Sequence, residues 1–351
     1  PRMLLIAERD GEIGQALASQ LTLVQQRFGA ELLSDLDCVN GLSAHVERYR
    51  GKMLRPTLVL LSSMALTGRT DMGELGESAV VAAAVCEMVH MATLVHDDVL
   101  DSAEMRRRGT TVNRLHGNEA AVMLGDYLIS HAYHLCSSLG RADISRAIAR
   151  ATNTVCEGEL LQLSNRENWQ LDERTYYEII RRKTASLVGL CCELPTLLAH
   201  QPGQRNGDER VGKALFTFGE KLGIAFQIID DLLDLSGDEQ TVGKSLGRDL
   251  AKGKLTLPVI RYLAVQPPAQ AESMRRLLER GGQENEEGAI EQEVYERVRQ
   301  ELVSSGMLEQ ARHMAEQLVG EARVVLADNL ADSPARQTML AMADQVVSRR
   351  F

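Results

Sequence analysis

Apolar residues recur at every third or fourth position along almost the whole chain. In IGQALASQLTLVQQRFG, from Ile13 to Gly29, the spacing predicts a helix that stops at the glycine. RPTLVLLSSMALTG has Pro56 near a first turn and closes on Gly68, the proline-first, glycine-last asymmetry of a helix. From Ala79 to Val95 the only charged residue is Glu87. A helix apolar on nearly all sides belongs in the middle of a bundle. NEAAVMLGDYLISHAYHLCSSLG and YYEIIRRKTASLVGLCCELPTLLAH predict further long helices, the second interrupted at Pro195. The tail, GMLEQARHMAEQLVGEARVVLADNL and SPARQTMLAMADQVVSRR, reads as two amphipathic helices, with Ser333 and Pro334 opening the second. Alternating strand patterns are absent. AHQPGQRNGDER and LERGGQENEEGAIEQE are polar, glycine-containing turns, and no linker divides the chain. The pattern predicts one all-α domain over residues 1–351.

Composition narrows the class. Aromatic residues make up only 4% of the 351, against 44% hydrophobic and 25% charged, which favours helices with a sizeable core. A net charge of −10 argues against a broad nucleic-acid-binding face, so basic residues must act locally. Cys38, Cys86, Cys136, Cys156, Cys191 and Cys192 lack metal-finger spacing, and most sit among apolar neighbours. They read as free thiols in a reducing compartment. PRMLLIAERDGEIG has too short an apolar run for a signal peptide. No stretch is expected to reach the ~20 apolar residues of a membrane span. The expected location is the cytoplasm.

Candidate chemistry is concentrated in two acidic clusters. LVHDDVLDSAEMRRRG, Leu94 to Gly109, carries Asp97, Asp98 and Asp101; FQIIDDLLDLSGD, from Phe226, carries Asp230, Asp231 and Asp234. On a helix Asp97 and Asp101 share a face one turn apart, as do Asp230 and Asp234, with Gln227 one turn earlier. Asp98 points about 100° away and is placed to support its neighbours. Leu94, Val95, Val99 and Leu100 surround the first cluster; Ile228, Ile229, Leu232 and Leu233 surround the second. Ionised carboxylates beside so much apolar surface need cations. Oxygen donors without an imidazole or thiolate set point to Mg2+ shared with a phosphorylated substrate. Basic residues flank these clusters: Lys52 and Arg55 in GKMLRP, Arg106, Arg107 and Arg108 in MRRRG, Lys183 beside Thr184 in RRKTAS, and Lys244, Lys252 and Lys254 in GKSLGRDLAKGKLTLP. Such groups form forked or point-charge clamps for phosphate.

With these residues in order, the chain resembles the trans-polyprenyl diphosphate synthases. The resemblance runs from GKMLRP to the last helices and rests on DDVLD followed by MRR, the KT pair, FQII before DDLLD, and GDYL and GKLTLP. It implies an isoprenoid-synthase helical bundle around a central cavity, usually a homodimer, with three Mg2+ ions. Asp97 and Asp101 would bind two of them and Asp230 the third, with Asp98, Asp231 and Asp234 completing the motifs. Arg106, Lys183, Lys244 and Lys254 would hold an allylic diphosphate. Lys52, Arg55, His90 and Arg107 would hold isopentenyl diphosphate, although His90 alone would read as a core histidine. Thr184 and Gln227 would lie near the developing cation.

The implied reaction ionises the allylic carbon–oxygen bond, and metal and cationic side chains stabilise the departing diphosphate. The double bond of isopentenyl diphosphate attacks the cation, and released diphosphate takes the lost proton. An apolar core keeps water away. Ala92 and Thr93 lie about 6–7.5 Å below Asp97 along a helix. Short-product relatives carry an aromatic there, so an open passage and a medium or long all-trans product, as in quinone side chains, are expected. Met88, Cys86 and Met123 are deeper candidates to close the passage. Where most relatives follow the arginine pair with glycine, this chain has Arg108 and then Gly109. The alternatives are a farnesyl or geranylgeranyl diphosphate synthase, a non-catalytic partner subunit, or a terpene cyclase. Intact aspartate motifs argue against the partner subunit, and the Lys52, Arg55 and Arg107 set argues against the cyclase.

Overall fold

One helix explains the arrangement of its neighbours. In the computed structural model, which describes residues 11–47, 51–106, 109–200, 209–236, 247–281 and 292–348, the apolar run becomes Gly76–Leu100 (α4). Being apolar on nearly every side, it must be surrounded. Glu12–Glu31 (α1), Leu54–Thr67 (α3), Val112–Ser137 (α5) and Ser186–Ala199 (α8) pack around it. Contrary to the expectation that no stretch could span a bilayer, the helical stretch Gly73–Leu100 is long and apolar enough to do so. However, 78% of its most apolar window is buried inside the protein, with other helices standing where lipid would.

The remaining helices close the bundle. Asp37–Glu47 (α2) lies against α5, and Ala142–Ser164 (α6) leads to Glu173–Ile180 (α7). Glu209–Ser236 (α9) runs between α8 and the long Met307–Asn329 (α14). Between these lie Arg248–Ala251 (α10), Leu257–Val265 (α11), Pro268–Gly281 (α12) and Gln292–Ser304 (α13). Pro334–Val347 (α15) folds back on α14 and α3. Buried apolar residues from all the long helices form one cluster. Among the described residues the only strand pairing is Met105–Arg106 with Gly109–Thr110, so the fold is all-α as expected.

Most punctuation marks work as the sequence predicts. Gly68 caps α3 in the left-handed region at φ 68°, and the Ser333 hydroxyl accepts the Arg336 N–H at 3.2 Å at the start of α15. α1 continues two residues past Gly29, whose carbonyl accepts the Leu32 N–H. Pro195 does not interrupt α8. It forfeits one hydrogen bond near the helix end, while burial along almost the whole helix keeps it helical. The disturbance lies earlier, in a π-helical turn at Arg181–Ala185. The two polar glycine-containing turns fall largely on residues 201–208 and 282–291, outside the described residues.

Glycine sets how closely α6, α8 and α9 approach. A Cβ at Gly158 on α6 would lie 2.5 Å from the Lys183 backbone nitrogen in the π-turn. On α9, a Cβ at Gly219 would lie 2.6 Å from the Val188 carbonyl oxygen, and one at Gly223 2.6 Å from the Ala185 Cα. The π-turn is therefore wedged between two helices that only glycine lets this near. Replacing Gly223→Ala should destabilise the fold by about 1–3 kcal/mol, because backbone must move to admit one methyl group. By contrast, Gly320→Ala on α14, where nothing lies within 4 Å, should stabilise by about 0.5–1 kcal/mol. Urea unfolding of the two variants checks the opposite signs.

Candidate active site

The two aspartate motifs come from the C-terminal stretches of α4 and α9. They meet at one cavity of about 170 Å3, which Asp101 lines from the first motif and Asp231 from the second. Lys183, Thr184, Gln227 and Lys254 line it as well. The π-turn brings Lys183 and Thr184 to this wall, and such turns recur at functional sites because they re-aim side chains within a helix. Tyr176, Ile179, Ile180, Leu171 and Leu255 give the cavity an apolar side.

Within each motif the aspartates do different things. Asp97 lies 3.7 Å from the Lys183 ammonium, which also contacts Glu159 and donates to Gln162 at 2.9 Å. Asp98 is 2% exposed and is gripped by the Arg106 guanidinium at 2.7–2.9 Å. Its side chain therefore pairs with Arg106 in the segment after α4, whereas the sequence placed it to support its neighbours. Asp101 receives Lys254 and Lys252, each at 3.0 Å, and Arg166 at 2.8 Å. In the second motif Asp230 is exposed. Asp231 is buried and accepts the Tyr176 hydroxyl at 2.6 Å and the Gln227 amide at 2.8 Å. Gln227 thus pairs with Asp231, not with the Asp230 face, and its oxygen accepts the Thr184 hydroxyl at 3.1 Å. Asp234 accepts the backbone N–H groups of Arg248 and Asp249 at 3.3 and 3.1 Å.

The electrostatics reveal an excess of negative charge. Burial raises the Asp97 carboxyl, with Lys183 opposing and Glu159 adding to the shift. Burial, then the charge of Asp249, raises Asp231 well above the carboxylate range and pushes Asp234 up to about 7. Asp249 is raised too, by burial that Lys254 only partly offsets. Asp101 differs: burial would raise it, but Lys254 and Lys252 outweigh that and hold it at about 2. Lys183 stays above its ordinary value despite burial, because Asp97 and Glu159 face it. Carboxylates in such surroundings gain stability from added cations, and hard divalent ions suit an all-oxygen donor set. The donors present therefore fit Mg2+, with Asp97, Asp101, Asp230 and Asp234 available to hold it.

Other sequence candidates lie elsewhere. Arg55 packs its buried guanidinium near Glu87 on α4; burial lowers its basicity, which Glu87 partly restores, and its Nε has no hydrogen-bond partner. His90 lies one turn beyond Glu87 on the same helix face, and Lys52 is exposed just before α3. None of these three lines the cavity, and neither do Arg106, Ala92 or Thr93. Ala92 is fully buried, and the Thr93 hydroxyl donates to the His90 carbonyl at 2.7 Å. Met88 and Cys86 are core residues, whereas Met123 is 65% exposed and cannot close an internal passage within this chain. Arg107, Arg108 and Lys244 lie outside the described residues.

Sequence reasoning missed Asp249, Glu159, Tyr176 and Arg166. Asp249 had a signal, an acid between glycine and two lysines in GRDLAKGK. Tyr176 had none, because its partner Asp231 is 55 residues away. The AKGK segment also needs Gly253: at φ +64° a Cβ there would lie 2.7 Å from Glu167. That close approach, sealed by the Glu167 N–H bonding the Gly253 carbonyl at 2.8 Å, fixes Lys252 and Lys254 on either side.

Comparison with known proteins shows the family. Residues 37–298 match the model of the polyprenyl synthetase family. The chain is 33% identical over 338 residues to octaprenyl diphosphate synthase of Escherichia coli K12, covering 96% of this chain and 98% of that protein. It is 34% identical over 345 residues to a geranylgeranyl pyrophosphate synthase of Geoglobus acetivorans, covering 96% and 99%. A solved polyprenyl synthase from Caulobacter crescentus, complexed with calcium and isoprenyl diphosphate, superposes with a TM-score of 0.85 at 29% identity, over 98% of this chain and 99% of that one. The chain belongs to the trans-polyprenyl diphosphate synthase family and is a prenyltransferase that elongates prenyl chains.

Proposed function

We propose that this enzyme condenses isopentenyl diphosphate with an allylic diphosphate, head to tail and with Mg2+, to an all-trans product of medium or long chain. The observation that carries the reading is that Asp101 and Asp231, one from each motif, line the same cavity as Lys183 and Lys254. Asp97 and Asp101 would hold two ions and Asp230 with Asp234 a third. Bound Mg2+ would supply Lewis-acid neutralisation of the diphosphate.

The chain's own groups then have separable tasks. Lys252, Lys254 and Arg166 already converge on Asp101, so cationic charge is gathered where the leaving diphosphate becomes more negative. Lys183, held by Asp97 and Glu159, adds to it, as Arg106 and Lys244 would. The Thr184 and Gln227 oxygens, fixed by the bond to Asp231, face the cavity as dipoles toward the developing allylic cation. Lys52, Arg55, His90 and Arg107 would bind isopentenyl diphosphate; the unpartnered Nε of Arg55 supports an anion there. The apolar wall excludes water that would quench the cation, and the released diphosphate is the base that takes the proton.

The small Ala92, and the octaprenyl synthase at 33% identity, support the longer product. The geranylgeranyl synthase at 34% identity supports the second reading, a short product. Exposed Leu115, Val122 and Met123 on α5 support a homodimer, and six unpaired cysteines, four of them buried, support a reducing cytoplasm. One all-α domain spanning the chain completes the proposal.

Purified protein alone, given Mg2+, labelled isopentenyl diphosphate and each allylic primer, should yield products resolved by length. No product from any primer would leave the non-catalytic partner subunit as the reading. Asp97→Asn and Asp230→Asn should each lower kcat roughly 100-fold or more, the scale of losing charge stabilisation in a transition state. Lys254→Ala should raise KM for the allylic primer and Arg55→Ala that for isopentenyl diphosphate; the reverse split would exchange the two sites. Ala92→Phe should shorten the product, and an unchanged distribution would reject Ala92 as a limit on chain length.

A further inference from the structure

Remote from the aspartate motifs, α1 and α5 bring together three side chains with different donors. Glu31 ends α1, and His131 and His134 lie one turn apart on one face of α5. The Glu31 Oε1 is 2.5 Å from His134 Nδ1 and 3.5 Å from His131 Nδ1. All three donor atoms lie within 4.8 Å of one another, the only such group of histidine, cysteine or acidic side chains found among the described residues. Two further features point to a ligand. Glu31 is largely covered, at 14% exposed, so its charge needs a positive partner. The Nδ1 of His131 is buried and makes no hydrogen bond, although it faces that carboxylate.

We infer that Glu31, His131 and His134 form a second metal site, distinct in chemistry from the all-aspartate one, that takes a borderline divalent transition ion such as Zn2+. The donor set decides the class. Two imidazoles and one carboxylate suit Zn2+ and its neighbours, whereas Mg2+ prefers oxygen donors. Bond lengths of ~2.0–2.2 Å put neighbouring tetrahedral donors about 3.4 Å apart. The Glu31–His131 separation already has that value, and His134 needs to retreat by less than a bond length. A tetrahedral ion would have one position left for water. The Tyr127 ring lies 4.2 Å from that of His131, tilted by 47°, and its hydroxyl donates to the Leu32 carbonyl at 3.4 Å. It thereby helps hold the imidazole against the end of α1. The site joins α1 to α5 by coordination, adding to the carboxylate–imidazole pair and the Tyr127 hydrogen bond, and its role is a staple on the outer side of the helices that flank α4.

The test uses the whole chain stripped with chelator and then held in saturating Mg2+ with inorganic pyrophosphate, so that the aspartate motifs are occupied. Zn2+ titrated calorimetrically should bind at one ion per chain and raise Tm. Co2+ in its place should give the visible absorption of a low-coordinate nitrogen–oxygen site. His131→Ala, His134→Ala and Glu31→Gln should each weaken binding roughly 10-fold or more, since even outer-shell partners of such ligands are worth 10–100-fold. The same variants should keep their prenyltransferase activity in Mg2+, because they touch nothing in the cavity. Zn2+ binding unchanged in a His131→Ala, His134→Ala double variant would overturn the site, as would Zn2+ binding that disappears only with Asp97→Asn or Asp230→Asn. Inactivity of the unmutated protein would count against the proposed function and leave this site standing.

Discussion

Carboxylates forced together in an apolar setting set the terms for the rest of this structure. Asp97, Asp231, Asp234 and Asp249 all have raised proton affinities, and burial is the first cause in each. A folded chain tolerates that only where the charge is later useful or locally compensated. Asp98 and Asp101 are compensated, the first by Arg106 and the second by Lys252, Lys254 and Arg166. The others keep an unmet demand for positive charge: Asp231 and Asp249 line the cavity, while Asp97 contacts Lys183 and Asp234 the Asp249 backbone, both on its wall. Stability and function pull in opposite directions here, and the long apolar helices make up the difference.

Keeping those acids in place depends on how closely the helices approach. Gly158 and Gly223 let α6 and α9 close on the π-turn that carries Lys183 and Thr184, and Gly219 lets α9 close on α8. The turn's extra residue rotates the following helix relative to the preceding one, so that Tyr176 on α7 and Thr184 in the turn both reach the Gln227–Asp231 pair on α9. A methyl group at any of these glycines meets backbone rather than a flexible side chain, so the wall cannot relax cheaply. The chemistry of the cavity is thus tied to three positions that carry no functional group.

The two proposed metal sites contrast in how they are built. The aspartates are brought together by long-range packing, with Lys183, Lys252 and Lys254 against Asp97 and Asp101. The Glu31–His131–His134 group needs only the contact of two helices and uses softer donors. Nothing in the first requires the second, so the N-terminal helix can be tied down without altering the reacting end of the bundle.

Helical periodicity, read from the chain alone, determined the all-α class, the central position of α4, and nearly every helix boundary marked by glycine, serine or proline. It also picked out both aspartate motifs, because a run of acids within apolar residues is a local anomaly visible without coordinates. It erred at Pro195, where burial outweighed one lost hydrogen bond, and at Met123, whose exposure depends on which side of α5 faces the core. The pairing of Gln227 with Asp231, one turn apart on α9, was open to local spacing and was overlooked. Local spacing could not reveal which aspartate of each motif faces the cavity, or the parts taken by Tyr176, Arg166 and Asp249. Those partners lie up to 65 residues apart, and only the packing of whole helices brings them within a hydrogen bond. A helix repeats its own faces by rule, but which face meets which neighbour is a property of the folded chain.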